Sequence, residues 1–177
     1  MANIYLIGYR ATGKTSTGKA LAEKAGIPFI DADEELVRIE GRTVAEMVAD
    51  KGWDYFRDRE SDVLKMLSGS RGSVVATGGG VILRSENIKV MHETGTAIWL
   101  KAGIETIAAR MSGDGMTAHQ RPSLSGRGVI DEIRDVLEQR LPLYEKAAMM
   151  TIDTDGKNPE QVCDEIFAGL SCRVLKP

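Results

Sequence analysis

The chain has 177 residues, 42% hydrophobic and 28% charged, the composition of an ordinary soluble domain long enough to close one sizeable core. Twenty-three Lys and Arg against 26 Asp and Glu leave a net charge of −3, so no global field draws the protein to nucleic acid or to an anionic membrane. No apolar run approaches the roughly 20 residues that span a bilayer and no basic segment precedes the first apolar stretch, while Cys163 and Cys172 have neither a disulfide-framework count nor a metal-ligand spacing, which together predict a cytoplasmic chain with reduced thiols.

The first apolar run, Asn3 to Ile7, reads as a buried strand, and Gly8-Tyr9-Arg10-Ala11-Thr12-Gly13-Lys14-Thr15 follows it directly. A helix candidate runs from Lys14 to Ala25 and stops at Gly26 before Pro28; Phe29 to Asp31 is the next strand, ending in Asp31-Ala32-Asp33. Thr43 and Glu46 form a capping-box pattern, and a helix beginning near Gly52 carries Phe56-Arg57-Asp58-Arg59-Glu60. Ser73 to Thr77 and Thr96 to Leu100 are further strands, the former running into Thr77-Gly78-Gly79-Gly80. From about Ser112 to Gly128, glycines alternate with His119, Arg121 and Arg127, the composition of a mobile flap whose arginines suit a lid closing over phosphate. A long helix from about Val129 to Lys146 places Ile130, Ile133, Val136, Leu137 and Leu141 on one stripe; the strand Met149 to Asp153 and a helix capped by Asn158 with Pro159 in its first turn close the chain.

Short, continuously apolar strands alternating with helices predict an α/β fold: a parallel sheet of about five strands with helices on both faces. Ligands bind such sheets beyond the carboxyl ends of the strands. The clusters after the first three strands, Gly8 onward, Asp31 to Asp33 and Thr77 to Gly80, are therefore expected to converge on one crevice.

The residues Gly8 to Thr15 fit G-x-x-x-x-G-K-[ST] between a strand and a helix, the context in which that pattern cradles phosphate with backbone N–H groups and a helix N-terminus. Gly8, Arg10, Ala11, Thr12, Gly13 and Ser16 are assigned to the nucleotide, with Lys14 reaching the β and γ phosphates and the hydroxyl of Thr15 ligating Mg²⁺. The third strand ends without an acid, which leaves Asp31 to hold the metal; an Asp at a strand terminus also suits capping of the next helix.

Asp31-Ala32-Asp33, read as extended, sets two carboxylates on one side, one for metal and one, Asp33, to orient an acceptor hydroxyl and take its proton. Arg57 and Glu60 are neighbours on one helical face, which an intrahelical ion pair would also explain. Arg140, followed by Pro142 and Tyr144, suits either the polar edge of its helix or the crevice, where with Arg57 it would hold a carboxylate. Gly78, Gly79 and Gly80 let the backbone approach a ligand closely.

Taken in order, the phosphate loop, Asp-x-Asp, Phe-Arg-x-x-Glu, Thr-Gly-Gly-Gly, an Arg-Pro flap and Arg-x-Pro-x-Tyr resemble the shikimate kinase family across nearly the whole chain. The resemblance implies a three-layer P-loop kinase fold with a mobile lid at about 112–128 in a single domain, and transfer of the γ-phosphate of ATP, with Mg²⁺, to the 3-hydroxyl of shikimate. It matches Lys14 and Thr15 to phosphate and metal, Asp31 to metal, Asp33 to the shikimate hydroxyls as base, and Arg57 and Arg140 to the shikimate carboxylate. Gly79 and Gly80 match backbone contacts to the acceptor, Arg121 the lid arginine, and Arg110 and Lys157 the cationic pair flanking adenine; Ala11 stands where relatives often carry glycine. The implied reaction is in-line transfer in which Asp33 orients the hydroxyl while Lys14, Arg121 and Mg²⁺ absorb charge. The alternatives are another small-molecule kinase of the same superfamily, acting on gluconate or a nucleoside monophosphate, and a homologue that binds nucleotide without catalysis. The expected assembly is a monomer.

Overall fold

The computed structural model describes residues 2–70, 72–113 and 128–174. In chain order it contains β1 (Asn3–Ile7), α1 (Lys14–Ala25), β2 (Phe29–Asp31), α2 (Ala32–Glu40), α3 (Val44–Gly69), β3 (Val74–Ala76), a 3₁₀ turn (Val81–Leu83) and α4 (Ser85–Thr94). β4 (Gly95–Lys101), α5 (Ile104–Gly113), α6 (Val129–Ala147), β5 (Met150–Asp153) and α7 (Pro159–Val174) complete it.

The five strands form one parallel sheet in the order β2-β3-β1-β4-β5. The central strands β1, β3 and β4 are buried on both faces, and their consecutive residues feed opposite cores because side chains alternate along a strand. Tyr5, Ile7, Val75, Ala97 and Trp99 meet Phe56, Leu64, Met91 and Tyr144 from α3, α4 and α6 on one face. Leu6, Val74, Ile98, Leu100 and Ile152 meet Leu21 of α1 and Val162 and Ile166 of α7 on the other. Among the described residues no helix is long and apolar enough to cross a membrane.

Helix boundaries follow local chemistry. α1 starts behind Gly13, at φ 89°, and ends at Gly26, at φ 64°. The capping box forms as expected, with Glu46 N–H donating to Thr43 Oγ1 and Thr43 N–H to Glu46 Oε2. α3 is broken at Gly52, with φ 81° and ψ 175°, so its second part sets off in a new direction under the sheet's carboxyl edge. That second part carries Arg57 and Glu60.

Three expectations are corrected. Asp31 to Asp33 is not one extended segment, because Asp31 caps α2 through Oδ1, accepting from Asp33 N–H at 3.1 Å and Glu34 N–H at 3.3 Å, and the helix begins at Ala32. Ser112 and Gly113, read as the start of the glycine-rich segment, belong to the last turn of α5; residues 114–127 of the expected flap lie outside the described residues. Ile130 is 52% exposed rather than buried with the stripe, while Ile133 and Glu132 of the same end of α6 are buried, Glu132 paired with Arg10.

Gly52 sits where only glycine is at ease, and nothing lies within 4 Å of an added Cβ, so a substitution there tests backbone conformation alone. Gly52→Ala is expected to lower stability by about 1–3 kcal/mol in thermal and urea denaturation. Gly69→Ala, in equally open space at the end of the same helix and without a positive φ, is expected to be neutral or slightly stabilising.

Candidate active site

β2, β3 and β1 are neighbours, so the segments following them emerge side by side at the sheet's carboxyl edge, and the three polar clusters meet in one crevice. After β1 the loop alternates in backbone sense, with positive φ at Gly8 (146°), Ala11 (59°) and Gly13 (89°). Such alternation turns successive N–H groups toward one point, where a polyphosphate is held together with the N-terminus of α1. Ala11 adopts the left-handed conformation that glycine takes without strain, at a cost of about 1–2 kcal/mol. Thr12 is buried and staples the loop by donating its hydroxyl to Tyr9 O at 2.8 Å. Lys14 Nζ donates to the carbonyls of Gly8 (2.9 Å) and Tyr9 (2.7 Å), which suspends the ammonium over the loop.

Thr15, one residue on, donates its hydroxyl to Asp31 Oδ2 at 2.9 Å. Asp31 thus uses both carboxylate oxygens: one caps α2, as one reading of the sequence has it, and the other meets the phosphate-loop threonine.

On the other side of the loop lies a cavity walled by Asp33, Arg57, Glu60, Gly78, Gly79, Gly80 and Arg140, with Tyr9, Arg10, Trp53 and Phe56. The glycine run is tightly enclosed. A Cβ on Gly78 would stand 2.3 Å from Glu60 Oε1 and 2.8 Å from Asp33 Oδ1, and one on Gly80 would stand 2.3 Å from the Arg57 guanidinium carbon. Arg57 donates to Glu60 Oε2 at 2.6 Å and lies 4.8 Å over the ring of Phe56, so its guanidinium is fixed between a carboxylate and an aromatic face. The intrahelical pair thus exists, and it lies in the crevice. Burial pushes the Glu60 carboxyl above its ordinary range, opposed by the neighbouring Arg57, and Glu60 Oε1 has no hydrogen-bond partner among the described residues.

Arg140 Nη1 donates to Gly79 O at 3.1 Å, and the hydroxyl of Tyr144, one turn further along α6, donates to the same oxygen at 2.6 Å. Tyr144 is fully buried and stacks on Trp99 with ring centroids 5.5 Å apart; burial raises its phenol well above the ordinary range, so it stays a neutral donor. The side chain of Arg10, a residue of the phosphate loop, also lines this cavity and pairs with Glu132. A separate pocket behind the phosphate loop gathers Thr12, Gly13, Ser16, Arg110, Thr154 and Lys157. Arg110 is anchored there by donating to Thr154 Oγ1 (3.1 Å) and Thr154 O (2.8 Å), and Lys157 is paired with Glu165 at 2.7 Å.

The structure therefore brings together Asp33, Arg57, Gly78 to Gly80 and Arg140 in one cavity, and Lys14, Thr15 and Asp31 beside it. Arg110 and Lys157 share the pocket on the far side of the loop. Arg121 lies outside the described residues. Sequence reasoning did not single out Trp53, Tyr9 or Glu132 as site residues; an aromatic within one helical turn of Arg57 was the available signal for Trp53, and none existed for Glu132.

Residues 10–171 match the family described as Shikimate kinase. A shikimate kinase of Nitratidesulfovibrio vulgaris is 43% identical over 156 residues, covering 88% of this chain and 89% of that one. One of Persephonella marina is 41% identical over 167 residues, covering 94% and 98%. The shikimate kinase of Acinetobacter baumannii, solved in complex with shikimate, superimposes with a TM-score of 0.92 at 32% identity, covering 99% of this chain and 96% of that one. With matched sequence and matched fold extending over the same crevice, this chain belongs to the shikimate kinase family.

Proposed function

We propose that this protein is an ATP-dependent kinase that, acting as one kinase domain, phosphorylates the 3-hydroxyl of shikimate and releases shikimate 3-phosphate and ADP. The observation that carries the reading is the convergence of a carboxylate, Asp33, and two guanidinium groups, Arg57 and Arg140, on a single cavity beside the phosphate loop. A small carboxylated polyol needs that set: cations for its carboxylate at one end and a carboxylate for its hydroxyls at the other.

The phosphate loop binds the nucleotide through its N–H groups, and Lys14 exchanges the carbonyls of Gly8 and Tyr9 for phosphate oxygens. Thr15 and Asp31 present hard oxygen donors at the N-terminus of α1, a set that fits Mg²⁺ keeping waters and phosphate oxygens as its other ligands. When bound, Mg²⁺ neutralises charge on the β- and γ-phosphate oxygens. Arg110 and Lys157 flank the base side of the nucleotide pocket. Arg57 and Arg140 grip the acceptor carboxylate, which aims the hydroxyl at the nucleotide; Asp33 accepts its proton while Lys14 holds the charge of the moving phosphoryl group. Glu60 keeps Arg57 in place, and Gly78 to Gly80 leave room for the acceptor against the backbone.

ADP release in the presence of Mg²⁺ and ATP, compared with shikimate, gluconate, AMP and no acceptor, tests the reading. Turnover is expected with shikimate alone, and Lys14→Met is expected to abolish it while leaving the thermal unfolding transition in place. Turnover with gluconate or AMP in preference to shikimate, or nucleotide binding with no turnover, would contradict it.

Two further outcomes follow for the acceptor. Arg57→Ala and Arg140→Ala are each expected to weaken use of shikimate about 10-fold to 150-fold in kcat/KM, the loss of one charge-assisted contact worth about 1.5–3 kcal/mol. Asp33→Asn, which keeps shape and removes the base, is expected to lower kcat by about 10²–10⁴ with a smaller change in KM.

A further inference from the structure

Arg10 is the third residue of the phosphate loop, yet its guanidinium leaves the loop and meets Glu132 in the first turn of α6. The two side chains are 13% and 4% exposed, so both charges have been taken out of water, and a pair of that kind keeps its geometry because each charge is costly to bury alone. Around it, Tyr9 of the loop packs with Ile107 of α5 and Ile133 of α6. The same helix, two turns beyond Glu132, carries Arg140, and Arg140 and Tyr144 are fastened to the carbonyl of Gly79. One stiff element thus touches the phosphate loop at its start and the acceptor cavity about 12 Å along, by helical rise. Neither phosphate binding by loop N–H groups nor the Arg57–Glu60 pair calls for this joint.

We propose that the Arg10–Glu132 ion pair couples the two substrate sites: the loop's conformation sets Arg10, Arg10 sets the start of α6 through Glu132, and α6 sets Arg140 against the acceptor carboxylate. The inference rests on the acceptor reading given above. Glu132 is a positioning residue that acts through Arg140, and Arg10, whose side chain also borders the cavity, joins it to the loop. By linkage the coupling is reciprocal, so nucleotide tightens acceptor binding and acceptor tightens nucleotide binding by one factor.

Calorimetric titration of shikimate into the full chain, with and without ADP and Mg²⁺, reads the coupling as the ratio of the two dissociation constants, alongside an ADP-release assay on each preparation. The wild-type ratio is expected to be about fivefold or more. Glu132→Gln, close to isosteric, and Arg10→Met are each expected to bring the ratio to within about twofold of one, with the double variant no different from either single variant. A wild-type ratio of one, or variants that melt at lower temperature yet keep the wild-type ratio, would overturn the coupling and leave the pair a structural tie. A wild-type protein that neither binds nor phosphorylates shikimate would overturn the acceptor reading itself, a failure the activity assay separates from the first.

Discussion

The Gly78–Gly80 run is the constraint on which the site depends. Three elements press against it from different directions: Asp33 from α2, Arg57 and Glu60 from α3, and Arg140 with Tyr144 from α6. A single methyl at position 78 or 80 would overlap Glu60 or Arg57, and one at 79 would reach 3.4 Å from Gly8 O of the phosphate loop. The cavity is therefore assembled around bare backbone, and the Gly79 carbonyl, taking two donors from α6, ties the far helix to the strand edge. Thr77 holds the run to β1, its N–H donating to Leu6 O at 3.1 Å and its hydroxyl to the same oxygen at 3.0 Å.

Strand order supplies the other half of the arrangement. β3 lies between β2 and β1, so the aspartate after β2, the glycines after β3 and the phosphate loop after β1 are adjacent although they are far apart along the chain. The Thr15–Asp31 hydrogen bond spans this edge, formed through one carboxylate oxygen of Asp31 while the other caps α2. Capping orients the carboxylate toward the loop, and it also starts the helix that presents Asp33 to the cavity. One residue thus joins the phosphate loop to the helix that walls the cavity.

Much of this was legible in the sequence. The five short runs read as strands fall on the five strands, with boundaries shifted by at most a residue at either end; in the central β1, β3 and β4 burial on both faces keeps the run largely apolar. Gly26, the Thr43–Glu46 box and Asn158-Pro159 mark helix ends through chemistry that is local to a few residues, so they were readable. Asp31-Ala32-Asp33 was misread because alternation was weighed over capping: Asp31 followed three residues later by Glu34 is itself a helix-start pattern. What could not be read was whatever depends on distant partners. Glu132 looks like an ordinary polar residue of an amphipathic helix until Arg10, 122 residues away, is seen to pair with it in a buried position. The Arg57–Glu60 pair was visible as a spacing, but its burial, and with it the raised carboxyl of Glu60, comes from the packing of α3 against the glycine run.

The most direct measurement is a crystal structure of the protein grown with shikimate, ADP and Mg²⁺. The shikimate carboxylate is expected between Arg57 and Arg140, its hydroxyls against Asp33 and the Gly78–Gly80 backbone, and the 3-hydroxyl directed at the nucleotide phosphates. A carboxylate bound away from both arginines, or a 3-hydroxyl turned from the phosphate loop, would contradict it.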